Sequence, residues 1–188
     1  TYTIRAESGG MFGTAVLNVN SLEVANTDIV LVSSAGLLAH YEFNGNANDS
    51  SGNGYHGITN GGVQFVTDSE KGTVGLFDGL DDYIDLPGTD SITFTGNPYS
   101  IATWVNIDSN NITGEEMIIG NHIAGQGGGF FLQININQFP YLSVGSSPAT
   151  STEALAGNTW HHLVALWTAG SMKLFVNGIL KATNSYTS

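Results

Sequence analysis

The sequence predicts an all-β protein, two antiparallel sheets packed face to face. Three observations predict it. Short runs alternating large apolar with polar or small residues recur along the 188 residues, and Gly, Asn, Asp or Pro closes them. The 25 glycines, with abundant Asn, Ser and Thr, form a mixture of low helix propensity that suits strands and tight turns. No convincing helical period and no tandem repeat appears.

The elements follow in order. Tyr2-Thr3-Ile4-Arg5-Ala6 and Ala15-Val16-Leu17-Asn18-Val19, joined by a Gly-rich connection, read as a hairpin. Asp28-Ile29-Val30-Leu31-Val32 reads as a linker strand, and Leu37-Leu38-Ala39-His40-Tyr41-Glu42-Phe43 as the next strand. Residues 44–62 are dense in Asn, Gly, Ser and Asp; with little apolar content to bury, the stretch needs something else to order it. Strand signals return at 63–66, 74–77 and 83–86, the last stopped by Pro87-Gly88. The longest alternating run covers 99–107, followed by runs at 117–120, 129–134, 141–144, 160–167 and 172–176. Asn177-Gly178 predicts a two-residue hairpin turn into Ile179-Leu180-Lys181-Ala182.

Charge narrows the function. Four Lys and Arg against 16 Asp and Glu give a formal charge of −12, which repels phosphate backbones and anionic lipid, so nucleic acid is not expected as a partner. The acidic surface suits Ca²⁺, a hard cation that takes oxygen ligands. No apolar run reaches the roughly 20 residues of a membrane helix, and no membrane insertion is expected. There is no cysteine, which a sandwich of this size tolerates even in an extracellular setting. Thr1 is not a natural start, so a processed or excerpted chain is expected.

Four stretches carry a family pattern. The first runs from Leu38-Ala39-His40-Tyr41-Glu42-Phe43-Asn44 through Asp49-Ser50-Ser51-Gly52-Asn53-Gly54 to Tyr55-His56-Gly57. Next come Phe77-Asp78-Gly79-Leu80-Asp81-Asp82-Tyr83-Ile84-Asp85-Leu86-Pro87 and Ser100-Ile101-Ala102-Thr103-Trp104-Val105. Trp160-His161-His162-Leu163-Val164-Ala165 with Leu174-Phe175-Val176-Asn177-Gly178 completes the set. In this order they resemble laminin-G-like domains, the concanavalin A-like jelly rolls of bacterial surface proteins. The resemblance implies a jelly roll over 35–188, with the strands that usually close it missing after the last hairpin. Residues 1–34 resemble the last strands of an immunoglobulin-like domain followed by a linker strand.

The resemblance also implies a calcium site at Asp49 and Asn53, with Asn44 nearby; the other reading is a loop held by Asx-turns. Asp78, Asp81, Asp82 and Asp85 form a second acidic cluster, read as turn formers and solvated strand ends, with a hairpin turn at Gly79-Leu80-Asp81-Asp82; a metal site is the other reading. His161 and His162 alternate on a strand, point to opposite faces, and read as structural; Trp104 and Trp160 read as packing. Asn121, His122 and Gln126, in the Gly-rich loop before Phe130, are the candidate ligand contacts; a plain connection is the other reading. No facing carboxylate pair for glycoside hydrolysis and no nucleophile-elbow serine is found, so no enzyme is expected. The expected function is non-catalytic binding of a glycan or surface protein, extracellular or at the cell surface, with structural Ca²⁺. The alternative is a subunit of an extracellular fibre that self-associates by strand exchange through open sheet edges.

Overall fold

The structure is a computed structural model. It describes residues 29–33, 36–87, 98–108, 114–120, 130–145, 147–168 and 170–186. The described residues are strands, turns and loops without a helix, and none of them forms a helix long and apolar enough to cross a membrane. The hairpin read at residues 2–6 and 15–19 lies outside them. The chain divides into two compact units, Thr1–Thr93 with Ser100–Trp104, and Phe94–Tyr99 with Val105–Ser188.

In the first unit β1 (Ile29–Ser33) pairs antiparallel with β2 (Gly36–Tyr41), Ile29 opposite Tyr41, so the segment expected as a linker strand takes part in a sheet. β7 (Tyr99–Asn106) stands on the other side of β1. Alternation decides which residues go inward. Ala39 and Tyr41 of β2 are buried, as are Tyr99, Ile101 and Thr103 of β7. Two ribbons complete the unit: β3 (Ile58–Asn60) with β6 (Tyr83–Asp85), and β4 (Gln64–Asp68) with β5 (Gly72–Leu76). In the turn between β4 and β5, Asp68 Oδ1 accepts the N–H groups of Glu70 and Lys71. The turn carries Lys71 over Trp104, its ammonium 3.4 Å from the ring centroid, a cation–π contact that covers the half-buried indole.

The second unit contains two sheets. One runs β11 (Ser147–Thr150), β10 (Pro140–Val144), β9 (Phe130–Ile134), β8 (Glu116–Gly120). The other is the meander β12 (Trp160–Thr168), β13 (Ser171–Val176), β14 (Ile179–Ser185). β10 and β11 pack on β13, and β11 on β14. The apolar phase of each strand fills the space between: Ile107, Ile134, Leu155, Leu163 and Val176 form one buried cluster, and Phe130 meets Trp167 edge-on at 5.6 Å. At about 25 cal/mol per Å² of apolar surface, burying each such side chain stabilises the fold by about 1.5–3 kcal/mol.

The Asn177-Gly178 turn forms as expected, with φ of 50° and 79°, the left-handed pair that matches strand twist. Asn177 fastens it. Its Oδ1 accepts the His162 N–H at 2.9 Å, and its Nδ2 donates to His161 Nδ1 at 3.3 Å. His161 Nε2 must then carry the proton, because it lies 3.0 Å from the Ala156 carbonyl. His161 is buried and His162 half-buried, on opposite faces, as alternation requires.

Candidate functional site

Three constellations carry polar chemistry. The first is the loop after β2. Asp49 is 5% exposed, and its carboxylate accepts four hydrogen bonds. Oδ1 takes the N–H of His40 at 2.9 Å and of Ser51 at 2.8 Å. Oδ2 takes the Ser51 hydroxyl at 2.8 Å and the Tyr55 N–H at 3.0 Å. Burial pushes this carboxyl up, and the hydrogen bonds from His40, Ser51 and Tyr55 outweigh it, leaving it below the ordinary carboxylate value. Asn53 Nδ2 donates to the carbonyls of Leu37 and Leu38, both at 2.9 Å, and the Tyr41 hydroxyl to the Tyr55 carbonyl at 2.7 Å. Polar side chains thus order the loop that apolar burial does not. Asn44 stands apart, its Nδ2 bonded to Glu42 at 3.0 Å. In this arrangement each Asp49 carboxylate oxygen accepts two hydrogen bonds from protein donors, and the Asn53 amide nitrogen is turned to backbone.

The second constellation is the trio Asp78, Asp81 and Asp82, whose carboxylate oxygens lie within 4.8 Å of one another. Asp82 holds the segment by accepting the N–H groups of Gly62 and Asp78, and Asp78 Oδ1 accepts the Leu80 N–H at 2.8 Å. The segment is not the hairpin turn expected from its residues. It joins β5 to β6, which belong to different ribbons, because β6 pairs with β3 and β5 with β4.

The third lies on the face of the β8–β11 sheet turned away from the core. Leu132, Ile134 and Leu142 point inward and are buried, so alternation sends Phe131, Gln133, Tyr141 and Ser143 to the other side, where Gln133 and Ser143 are themselves buried and the Phe131 and Tyr141 rings are half-buried. Strand register sets them in two rows. Met117, Gln133, Tyr141 and Thr150 lie across one, and Gly120, Phe131, Ser143 and Pro148 across the next. Phe131 and Tyr141 meet edge-on at 5.8 Å. Glu115, just ahead of β8, reaches the same face. Its Oε2 accepts Gln133 Nε2 at 2.7 Å, and the Tyr141 hydroxyl also donates to its carboxylate. Burial, helped by Glu115, pushes the Tyr141 phenol up to about 12. Gln133, 4% exposed, is thereby satisfied. Gly120 leaves the room this packing needs: a Cβ there would stand 2.9 Å from Phe131 Cβ and 3.0 Å from Met117 Sδ.

The structure therefore brings Asp49 and Asn53 together in one loop, with Asn44 bonded elsewhere. Asn121, His122 and Gln126 lie outside the described residues. The Glu115–Gln133–Tyr141 cluster is absent from the sequence-derived candidates. Its signal was a lone Gln at an outward position between apolar neighbours, with aromatic residues at outward positions on both strands.

A laminin-G-type family model, the concanavalin A-like lectin/glucanases superfamily, matches residues 77–188. The chain belongs to that superfamily, and its fold is the family's jelly-roll sandwich. Among solved structures it is similar to domain 4 of AbnA, a GH43 extracellular arabinanase from Geobacillus stearothermophilus, solved with arabinotriose. The TM-score is 0.59 at 17% identity, over 85% of this chain and 78% of that one. It is also similar to residues 221–444 of an S-layer domain-containing protein from Clostridium thermocellum, with TM-score 0.46 and 26% identity, over 78% and 71% of the two chains. Comparison with curated proteins gives no significant match.

Proposed function

We propose that this chain is a non-catalytic glycan-binding module of an extracellular or cell-surface protein, and that the outward face of the β8–β11 sheet is its binding surface. One observation carries the reading: the rings of Phe131 and Tyr141 share that face with the Gln133 amide and the Glu115 carboxylate. A sugar presents apolar C–H patches and a rim of hydroxyls, and it is held by a ring beside a few fixed polar groups. The arabinotriose complex of the AbnA domain supports the same ligand class at the level of shared fold. Hydrolysis requires two carboxyl groups flanking the bond. The partners shown for Glu115 are an amide and a phenol, which suits binding without cleavage. The resemblance also implies calcium; this reading assigns the order of the Asp49 loop to protein donors and needs no cation for it.

Affinity electrophoresis through gels containing neutral plant or bacterial polysaccharides tests the proposal. Retardation by at least one, with no release of reducing ends, is expected. Free migration through the whole panel, or hydrolysis, would contradict it.

The fibre reading draws on β14, an end strand of its sheet on which Ile179 and Leu180 are 60% and 48% exposed. Sedimentation velocity separates the two: the binding-module reading expects monomer at tens of micromolar, the fibre reading a concentration-dependent series of larger species.

A further inference from the structure

We infer that the Glu115–Gln133–Tyr141 face takes uncharged glycan chains and turns away chains bearing carboxylates or sulfates. The inference rests on the glycan-binding reading of the same face.

Hydrogen bonds hold the polar groups of the face in place. Glu115 accepts from both the Gln133 amide and the Tyr141 hydroxyl. Tyr141 keeps its proton far above neutral pH, so it adds a donor and no charge. The site therefore presents one negative charge beside two rings. The exposed Glu115 carboxylate and the half-buried Tyr141 hydroxyl can exchange hydrogen bonds with a neutral hydroxyl, while the buried Gln133 amide holds Glu115 in place.

Among the described residues no Lys or Arg pairs with Glu115. The chain has four cationic residues, Arg5, Lys71, Lys173 and Lys181. Lys71 sits over Trp104, and the Lys181 ammonium is 2.6 Å from Glu153. Lys173 is exposed on β13, where Met172 and Leu174 turn inward; it points out of the opposite side of the second unit's sandwich. Arg5 lies outside the described residues. The loop between β8 and β9 carries no Lys or Arg in its sequence. A uronate or sulfate held here would meet Glu115 with no described Lys or Arg beside it. Two like charges about 5 Å apart, at an effective dielectric near 20, would weaken binding by roughly 250-fold; Glu115 is exposed, and solvent screening brings the loss down toward about tenfold.

The test uses one backbone in two charge states. Polygalacturonate and its fully methyl-esterified form are compared by affinity electrophoresis of the whole chain, beside the neutral polysaccharide panel. Retention by neutral chains, and by the ester at least about tenfold more strongly than by the acid, is expected. The gap should narrow when salt rises from about 0.02 to 0.5 M, because screening removes the repulsion. Glu115→Gln should shift the acid-to-neutral affinity ratio about tenfold toward the acid, whatever it does to overall affinity. Equal retention of acid and neutral chains, or preference for the acid, would overturn the inference and leave the glycan reading standing. Retention of no chain would overturn both. The salt titration on the unaltered chain decides the matter if the variant folds poorly.

Discussion

The backbone N–H of His40 donates to Asp49 Oδ1 at 2.9 Å, closing a loop of nine residues onto the strand it leaves. The Ser50 N–H returns the link, donating to the His40 carbonyl at 2.8 Å. A polar segment is thus fixed to β2 by a carboxylate working from inside the loop. Asp49→Ala should strand the N–H groups of His40, Ser51 and Tyr55 and cost about 3 kcal/mol. For a chain of this size that is roughly 6–12 °C in Tm. Scanning calorimetry with EDTA and with millimolar Ca²⁺ checks the cause: the loss should be the same in both. A loss seen only with Ca²⁺ present would make Asp49 a cation ligand instead.

Acid should act through the same residue. A carboxyl held below its ordinary value in the folded state contributes stability above about pH 4, and that contribution fades as pH falls through the folded value. Asp49→Asn has no such proton to take up. Between pH 7 and pH 3 its Tm should therefore fall less steeply than that of the unaltered chain, as followed by circular dichroism.

Alkali acts in the opposite sense. Burial raises the phenols of Tyr41, Tyr141 and Tyr186, so their contribution is complete below about pH 10 and is lost as pH rises through the folded values. Absorbance titration near 295 nm should show part of the seven-tyrosine signal delayed to about pH 12 or to unfolding. Tyr141→Phe should remove one tyrosine's share of the delayed step.

The β13–β14 turn separates backbone conformation from hydrogen bonding. Asn177→Gly keeps access to φ near 50° and loses the side-chain bonds to His161 and His162, a cost of about 1 kcal/mol. Asn177→Ala loses both and should cost about 2 kcal/mol. Equal losses in urea titration would mean that the turn geometry contributes nothing.

Gly120→Ala probes the binding face. Its Cβ would meet the Phe130 carbonyl and Phe131 Cβ, each at 2.9 Å. The strain should cost about 1–3 kcal/mol and displace the Phe131 ring, weakening glycan retention beyond what the stability loss explains.

Much of the fold was legible because alternation and turn chemistry are local. Tyr99, Ile101 and Thr103 go inward as their spacing requires, and Asn177-Gly178 specifies its turn. Pairing partners are not local. Nothing between Phe77 and Tyr83 says that β5 turns back on β4 while β6 joins β3, so the segment read as a hairpin. Asp49 was legible as the key residue of its loop, but its partners were not: three of its four donors are backbone N–H groups, and backbone carries no sequence mark. The Glu115–Gln133–Tyr141 cluster was hidden for a related reason. Its members are brought together by the register of β9 and β10 and by the approach of β8, and a one-residue slip would separate them.

The central claim is that the outward face of the β8–β11 sheet binds glycan. Affinity electrophoresis of Tyr141→Ala beside Tyr83→Ala tests it most directly, since Tyr83 is 57% exposed on the β3–β6 ribbon, outside that face. The account predicts at least about a tenfold loss of retention, roughly 1.4 kcal/mol, for Tyr141→Ala, and none for Tyr83→Ala. Undiminished retention of Tyr141→Ala, with or without loss in Tyr83→Ala, would contradict it.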